Sequence, residues 1–315
     1  METIQLGSSR QRITRLGMGG CPLGGYGWGV CSDDDARDAV RTALQRGITF
    51  FDTADIYGLG HSEELLGEVL GADKKRVCLA SKFGVRRSPE GRTWYDISPS
   101  YAREALESSL RRLKTDFISL YYIHWPDGKT RIEDTVAELE KMRREGKIGA
   151  IGVSNFSAEE IHQACDVAKI DAVQVQFSLL DQEKARKLFD VVQKNNLTLV
   201  TWGSLAQGLL TGKYDENSTF VEGDRRNRYE NFTGEKFKKN LKVVREVKKI
   251  AAGMNKTASE TAIRWLLDTK PVGAVLFGAK NPAQVNDNLG ADGWQLTSDG
   301  YQTLSQLTRE LGYYE

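Results

Sequence analysis

Cysteine, histidine and net charge, three common pointers to function, are all scarce in this sequence. The four cysteines (Cys21, Cys31, Cys78 and Cys165) form no Cys-x-x-Cys pair, which argues against a disulfide framework or a zinc knuckle and leaves ordinary reduced thiols. The three histidines (His61, His124 and His162) have no metal-ligand spacing, so no metal is expected. Lys and Arg (44) nearly cancel Asp and Glu (43), which removes the electrostatic case for a nucleic acid or a membrane surface as partner. No apolar run nears the length that spans a bilayer, and residues 1–10 hold no apolar segment of signal-peptide type, so a cytoplasmic location is expected. Nor is there a low-complexity linker. Residues 1–315 read as one domain, long enough to bury a large core.

What the chain does have is alternation. Short apolar runs rich in β-branched residues at 48–51, 76–80, 117–123, 148–153, 172–176, 197–201 and 272–277 read as buried strands. Amphipathic stretches at 34–46, 62–70, 99–113, 132–144, 158–167, 183–194 and 257–267 read as helices between and after them. Ser62-Glu63-Glu64, Ser98-Pro99 and Ser157-Ala158-Glu159-Glu160 carry helix-starting chemistry. Such alternation predicts a parallel sheet with right-handed crossovers. Counting the apolar residues before Gly17 as the first strand gives eight, the number that closes a (β/α)8 TIM barrel. An open doubly wound sheet competes, yet Gly17-Met18-Gly19-Gly20-Cys21-Pro22 has proline where the third glycine of a dinucleotide turn belongs. Three segments lie outside the repeat. An N-terminal β-hairpin (4–6 and 13–16 about Gly7-Ser8-Ser9) could plug one end, residues 203–235 form a long connection, and an extra C-terminal helix at 298–311 is expected across the barrel mouth.

In such a barrel the chemistry belongs at the carboxyl ends of the strands. The second strand ends in Asp52, with Tyr57 five residues on; the third ends in Lys82 and the fourth in His124. The fifth delivers Ser154 and Asn155, the sixth Gln176 and the seventh Trp202. Each has a bland alternative. Asp52 could cap a helix, Tyr57 and Trp202 could be packed aromatics, Lys82 could be solvated, His124 could be a satisfied core histidine, and the amides could bind loop backbone. Their convergence on one mouth favours function. A phenol holds its proton near neutral pH. A neighbouring ammonium would stabilise the phenolate and lower the pKa of Tyr57, making it a usable general acid. Asp52 would hold Lys82 in place and His124 would polarise a substrate oxygen. Reduction of a carbonyl by a cofactor-borne hydride needs that and little else from the protein.

The motifs Phe51-Asp52-Thr53-Ala54-Asp55-Ile56-Tyr57-Gly58, Ser81-Lys82-Phe83-Gly84, Tyr122-Ile123-His124-Trp125-Pro126-Asp127 and Ile151-Gly152-Val153-Ser154-Asn155-Phe156, in that order, resemble those of the aldo-keto reductase family. The resemblance runs from the hairpin to the last helix. It implies a catalytic tetrad of Asp52, Tyr57, Lys82 and His124 with Tyr57 as proton donor, and a nicotinamide dinucleotide as cofactor. It implies further that Ser154, Asn155 and Gln176 hold the nicotinamide carboxamide, that Trp202 stacks on the ring where the family usually has tyrosine, and that Gly20 lies against the cofactor. Gly203, Ser204, Leu205, Gln207 and Gly208 are similar to a pyrophosphate-binding loop, with Ser204 where many relatives have proline. Gly278, Lys280, Gln284, Asp287 and Asn288 resemble the family's adenosine segment at the start of the eighth helix, and a lysine there can pair with a 2′-phosphate. NADPH is therefore expected. Arg225 and Arg228 could close over the phosphates or be solvated.

The expected activity is NADPH-dependent reduction of an aldehyde or ketone. Two alternatives stay open: a cofactor-binding regulatory subunit with little turnover, and an NADP-dependent dehydrogenase oxidising a sugar or alcohol. Tyr26, Trp28, Trp94, Tyr95 and Trp125 could form an aromatic pocket wall, or simply pack their loops.

Overall fold

In the computed structural model of the protein, the residues described are 1–25, 31–88 and 90–314. The chain opens with a hairpin, β1 (Thr3–Gln5) and β2 (Arg12–Thr14), in which Thr3 pairs with Thr14. The repeat then begins with β3 (Leu16–Gly19), α1 (Asp33–Gln45), β4 (Phe50–Asp52), α2 (His61–Leu70) and β5 (Cys78–Phe83). A second hairpin, β6 (Val85–Arg87) and β7 (Thr93–Tyr95), interrupts it before α3 (Pro99–Leu113). Next come β8 (Ile118–Ile123), α4 (Ile132–Arg144), β9 (Ile148–Ser154), α5 (Ala158–Val167) and β10 (Ala172–Gln176). The stretch expected as one helix at 183–194 is two, α6 (Glu183–Arg186) and α7 (Phe189–Lys194), before β11 (Thr198–Trp202). The end of the chain holds α8 (Gly234–Gly253), α9 (Ala258–Asp268), β12 (Val272–Gly278), α10 (Pro282–Leu289) and α11 (Ser298–Glu310).

Eight strands close in the order β3-β4-β5-β8-β9-β10-β11-β12, every neighbouring pair parallel, so the fold is the (β/α)8 barrel the alternation predicts. Inward-facing side chains from alternate positions fill it, including Phe50, Ala80, Leu120, Tyr122, Ala150, Val200 and Leu276. Leu6 and Ile13 of the hairpin join that cluster with no exposed surface, so the hairpin does plug one end. Gly152 matters here: a Cβ at that position would sit 2.3 Å from the ring of Tyr122. Only glycine lets that ring lie across the barrel. A larger apolar layer joins the strands' outer faces to the helices, with Val40, Leu66, Leu106, Val136, Ile161 and Ile263 among its members.

Helix starts follow the sequence chemistry at two of the three sites. Ser98 caps α3 by accepting from the Tyr101 amide, and Ser157 and Glu160 form a reciprocal capping box on α5. Ser62 does not cap: α2 begins at His61, and the Ser62 hydroxyl donates instead to Gly20 O at 2.9 Å. The C-terminal helix also departs from expectation. α11 lies against α8 and α9 rather than across the mouth, because Tyr301 stacks on Trp265 and the Trp265 indole donates to Ser305 Oγ at 3.1 Å. Among the described residues no helix is long and apolar enough to cross a membrane.

Candidate active site

Asp52 closes β4, and Lys82 lies beside it on β5; both are buried. The Lys82 ammonium is ion-paired with Asp52 Oδ1 and donates to Thr53 O at 2.8 Å. The other carboxylate oxygen, Oδ2, accepts from Gln174 Nε2 at 2.8 Å. Burial pushes the Asp52 carboxyl up, while the Lys82 ammonium and the Gln174 amide oppose that push. Taking two charges out of water costs several kcal/mol for each ion, so a pair like this persists only where both partners are hydrogen-bonded.

After Asp52 the chain turns back on itself. The Asp55 amide donates to Lys82 O at 3.2 Å and the Tyr57 amide to Ala54 O at 3.1 Å. A Cβ on Gly58, whose φ is +62°, would meet Gly24 O at 2.5 Å, so glycine is required directly after Tyr57. The turn places the Tyr57 ring with its centroid 5.2 Å from Lys82 Nζ. His124 follows β8, its amide donating to Phe83 O at 2.8 Å, and its ring stands edge-on to Tyr57 at 5.8 Å. Asp52, Tyr57 and His124 line a single cavity of about 640 Å³, with Lys82 held behind Asp52.

The electrostatics differ in one respect from the sequence reading. The Tyr57 phenol is pushed up, first by burial and then by Cys21, Asp52 and Asp55, with Arg225 pulling the other way. The expected lowering by Lys82 is offset because the ammonium is already matched by Asp52, leaving a nearly neutral pair beside the phenol. Burial, helped by Lys82, pushes the His124 imidazole well down, so the ring is neutral at physiological pH. Its Nδ1 is buried without a hydrogen-bond partner.

The same cavity is lined by Asn155, Trp202, Gly203, Ser204, Leu205, Gln207, Gly208, Gly278, Lys280, Gln284, Asp287 and Asn288, which the structure thus brings together. Three residues expected there are not in its wall. Gly20 packs under Ser62 and donates its amide to Asp52 O at 2.7 Å; Ser154 is buried and accepts from Asn155 Nδ2; Gln176 bonds Asp181. Ser204, in the position where proline is common, fixes its loop by donating to Leu276 O at 2.9 Å. Beyond it Ala206 and Gln207 both have positive φ, a costly geometry that clusters at functional sites, and Gln207 Oε1 is buried without a partner.

Lys213, Arg226 and Lys280 gather at the far end of the cavity. The Lys280 ammonium is pushed down by burial and then by Arg226, with Lys213 adding to the effect. Asn281 caps α10, with Pro282 in the first turn, so a helix N-terminus lies beside Lys280. Arg228 is exposed and outside the cavity wall, whereas Arg225 lines it. Of the aromatic residues, Trp125 lines the cavity, with Tyr95 at 6.1 Å from it; Trp94 packs under Arg86, and Tyr26 and Trp28 lie outside the described residues. The sequence reading missed Gln174, Tyr214, Arg226 and Tyr229. Gln174 had a signal: Gln174-Val175-Gln176 puts an amide on the inward face mid-strand, where it must find a partner.

Comparison with known proteins identifies the family. The model of the Aldo/keto reductase family matches residues 15–309. Aldo-keto reductase yakc [NADP(+)] of Schizosaccharomyces pombe is 37% identical over 82% of this chain and 78% of its own length. The NADH-specific methylglyoxal reductase of Escherichia coli is 30% identical over 98% of this chain and 99% of its own. Among solved structures, the glycerol dehydrogenase AKR11B4 from Gluconobacter oxydans superposes with a TM-score of 0.91 at 33% identity, covering 99% of this chain and 97% of that one. A closed eight-stranded barrel, a buried carboxylate–ammonium pair beside a phenol and an imidazole, and a match across nearly the whole sequence lead to one conclusion: this chain belongs to the aldo/keto reductase family of oxidoreductases.

Proposed function

We propose that the protein reduces the carbonyl of a small aldehyde or ketone to an alcohol with NADPH, residues 1–315 acting as one catalytic domain. The observation that carries this reading is the convergence of Tyr57, His124 and the Asp52–Lys82 pair on one end of a cavity whose other end is cationic. The wall suits a nicotinamide dinucleotide. Trp202 offers a flat face near the tetrad, the buried Gln207 Oε1 lacks a donor, and Lys213, Arg226, Lys280 and the start of α10 suit phosphate groups. A bound nicotinamide dinucleotide supplies the hydride.

The protein's own part is proton delivery and charge stabilisation. His124, neutral, donates a hydrogen bond to the substrate oxygen and orients it toward Tyr57. As that oxygen gains negative charge it takes the phenolic proton of Tyr57. A phenol raised above its usual range is still protonated at neutral pH, so Tyr57 holds the proton it gives up. Lys82, at 5.2 Å from the ring centroid, stabilises the phenolate left behind, and Asp52 holds Lys82 in place. The relatives' names divide between NADP(+) and NADH; Lys280 beside the N-terminus of α10 favours the phosphorylated cofactor.

A spectrophotometric screen of aldehydes and ketones, with NADPH and NADH in parallel, tests the proposal. Consumption of NADPH at least tenfold faster than NADH with some member of the panel is expected, and no consumption of either would overturn it. The reverse reading, oxidation of a polyol with NADP⁺, is favoured by the likeness to a glycerol dehydrogenase. Rates measured in both directions decide between them.

A further inference from the structure

Inside the turn that the Tyr57 amide closes on Ala54 O stands a carboxyl group that the proton transfer does not use. Asp55 Oδ1 is buried without a hydrogen-bond partner, and Oδ2 accepts from the Tyr101 hydroxyl at 3.4 Å. The cations around it are committed to other acids. Arg112 of α3 holds Glu63 of α2, its Nε 2.6 Å from Oε2, and the Ser81 hydroxyl donates to the other oxygen of Glu63. Lys82 of β5 is paired with Asp52, and Arg86 of β6 is paired with Asp96 at 3.1 Å while lying 4.4 Å over the Tyr101 ring. Tyr121 of β8, a buried phenol pushed up by burial and then by Asp55, brings no positive charge. A carboxylate beside a second acid and without a cation of its own is costly to bury, so Asp55 holds its proton at neutral pH. Burial and then Glu63 push it up to about 8.

We propose that Asp55 is a positioning residue for Tyr57: its neutral carboxyl keeps the Ala54–Tyr57 turn packed and the phenol aligned, and its ionisation disturbs that alignment, so carbonyl reduction slows on the alkaline side. This rests on the reductase reading above and adds to it what holds the proton donor in place. The turn is fixed on both sides of Tyr57. The Asp55 amide donates to Lys82 O at 3.2 Å, and Gly60 lies so close to Arg112 that a Cβ there would sit 2.5 Å from its Cδ. An ionised Asp55, repelled by Glu63, relieves the repulsion by shifting the segment between those fixed points, which carries Tyr57. Small misplacements of a reacting group cost large factors in rate. His124, pushed well down, and Tyr57, pushed up, both keep one charge state between pH 7 and pH 9.

The test is the pH profile of single-turnover NADPH oxidation, with the best carbonyl compound of the panel, in the parent and in Asp55→Asn. Asparagine keeps the shape of the neutral acid and cannot ionise. Between pH 7 and pH 9 the parent rate should fall by about fivefold or more and the variant rate by less than about twofold, the two agreeing within about threefold at pH 7. Cys21 and Lys280 of the cavity wall are common to both proteins, so their contributions cancel. Tyr101→Phe removes a hydrogen bond to Oδ2 that favours the ionised form, and should move the fall upward by about half a pH unit. Parallel profiles for the parent and Asp55→Asn, or a variant slower by one factor at every pH, would overturn the proposal. If Asp55→Asn does not fold, Tyr101→Phe decides, and a profile coinciding with the parent's overturns it. NMR of the aspartate carboxyl carbons reads the ionisation without cofactor: a resonance titrating near 8 in the parent and missing from Asp55→Asn is expected, and its absence from the parent contradicts the proposal. Turnover of no compound at any pH would overturn the reductase reading, and this role with it.

Discussion

The two ends of the barrel are closed by the same strands, yet they are built on opposite terms. At the floor, Leu6 and Ile13 of the hairpin enter an apolar cluster with Phe50, Leu120 and Val200, and the Gly7 amide is satisfied by Thr198 Oγ1 at 2.6 Å. At the mouth there is a buried ion pair, His124 Nδ1 and Gln207 Oε1 lack partners, and Asn155, Ala206 and Gln207 have positive φ. The floor has its own unpartnered oxygen, Asp171 Oδ1, but that residue's other oxygen accepts from the Ile151 amide and faces Arg143. One end therefore holds the sheet together and the other holds polar groups in costly positions that the rest of the fold supports.

Substitutions at the two ends should separate stability from rate. Lys82→Met should have the largest effect, lowering turnover by about 10²-fold or more and destabilising the fold by about 3–5 kcal/mol, because Asp52 is left as an uncompensated buried charge. Adding Asp52→Leu should return much of the stability, measured by urea unfolding, and none of the activity. If the single variant unfolds like the parent, the pair is not the buried unit described here. At the floor, Leu6→Ala should cost about 2–5 kcal/mol in the same unfolding experiment while kcat stays within about twofold below the melting range. A large fall in kcat there would erase the distinction between the ends.

Within the mouth, Lys280→Ala should weaken NADPH binding by about tenfold, roughly 1.4 kcal/mol, and leave NADH binding nearly unchanged. Equal weakening of both would remove Lys280 from the choice of cofactor. The smallest effect concerns Asp55, whose carboxyl is pushed up to about 8 by burial and then by Glu63, with Arg112 opposing. An unfolded aspartate titrates near 4, so the folded chain holds a proton that the unfolded chain has released throughout the window between. Stability from this group is present at low pH and is lost as pH rises through 8. Between pH 7 and pH 9 the parent should lose about 1 kcal/mol that Asp55→Asn does not lose; parallel profiles would show that the carboxyl is not protonated in the folded protein.

Local pattern carried the barrel and put all four residues of the proposed tetrad at or just after strand ends. Helices 99–113 and 158–167 match their sequence boundaries because cap and apolar face lie within a few residues of one another, and 132–144 does so on its apolar face alone, without a side-chain cap. Helix α8 went unread although Phe237, Leu241, Val244, Val247 and Ala251 form its buried stripe, since nine lysines, arginines and glutamates mask the period. The β6–β7 hairpin was also missed; its strands are three residues each, too short for an alternation to show. The partnership of Gln174 with Asp52 spans 122 residues, and that of Arg226 with Tyr214 is made inside an irregular strap. Sequence spacing can place a residue at a strand end, but it does not say which long-range partner will meet it there.

The central claim is that Tyr57 hands its proton to the substrate oxygen in the same cavity that holds the dinucleotide. Single-turnover oxidation of prebound NADPH, followed by stopped-flow fluorescence for the parent and Tyr57→Phe, tests it most directly. Unchanged NADPH affinity with a rate about 10²- to 10⁴-fold lower in the variant is the predicted result. Equal rates in the two proteins would contradict it.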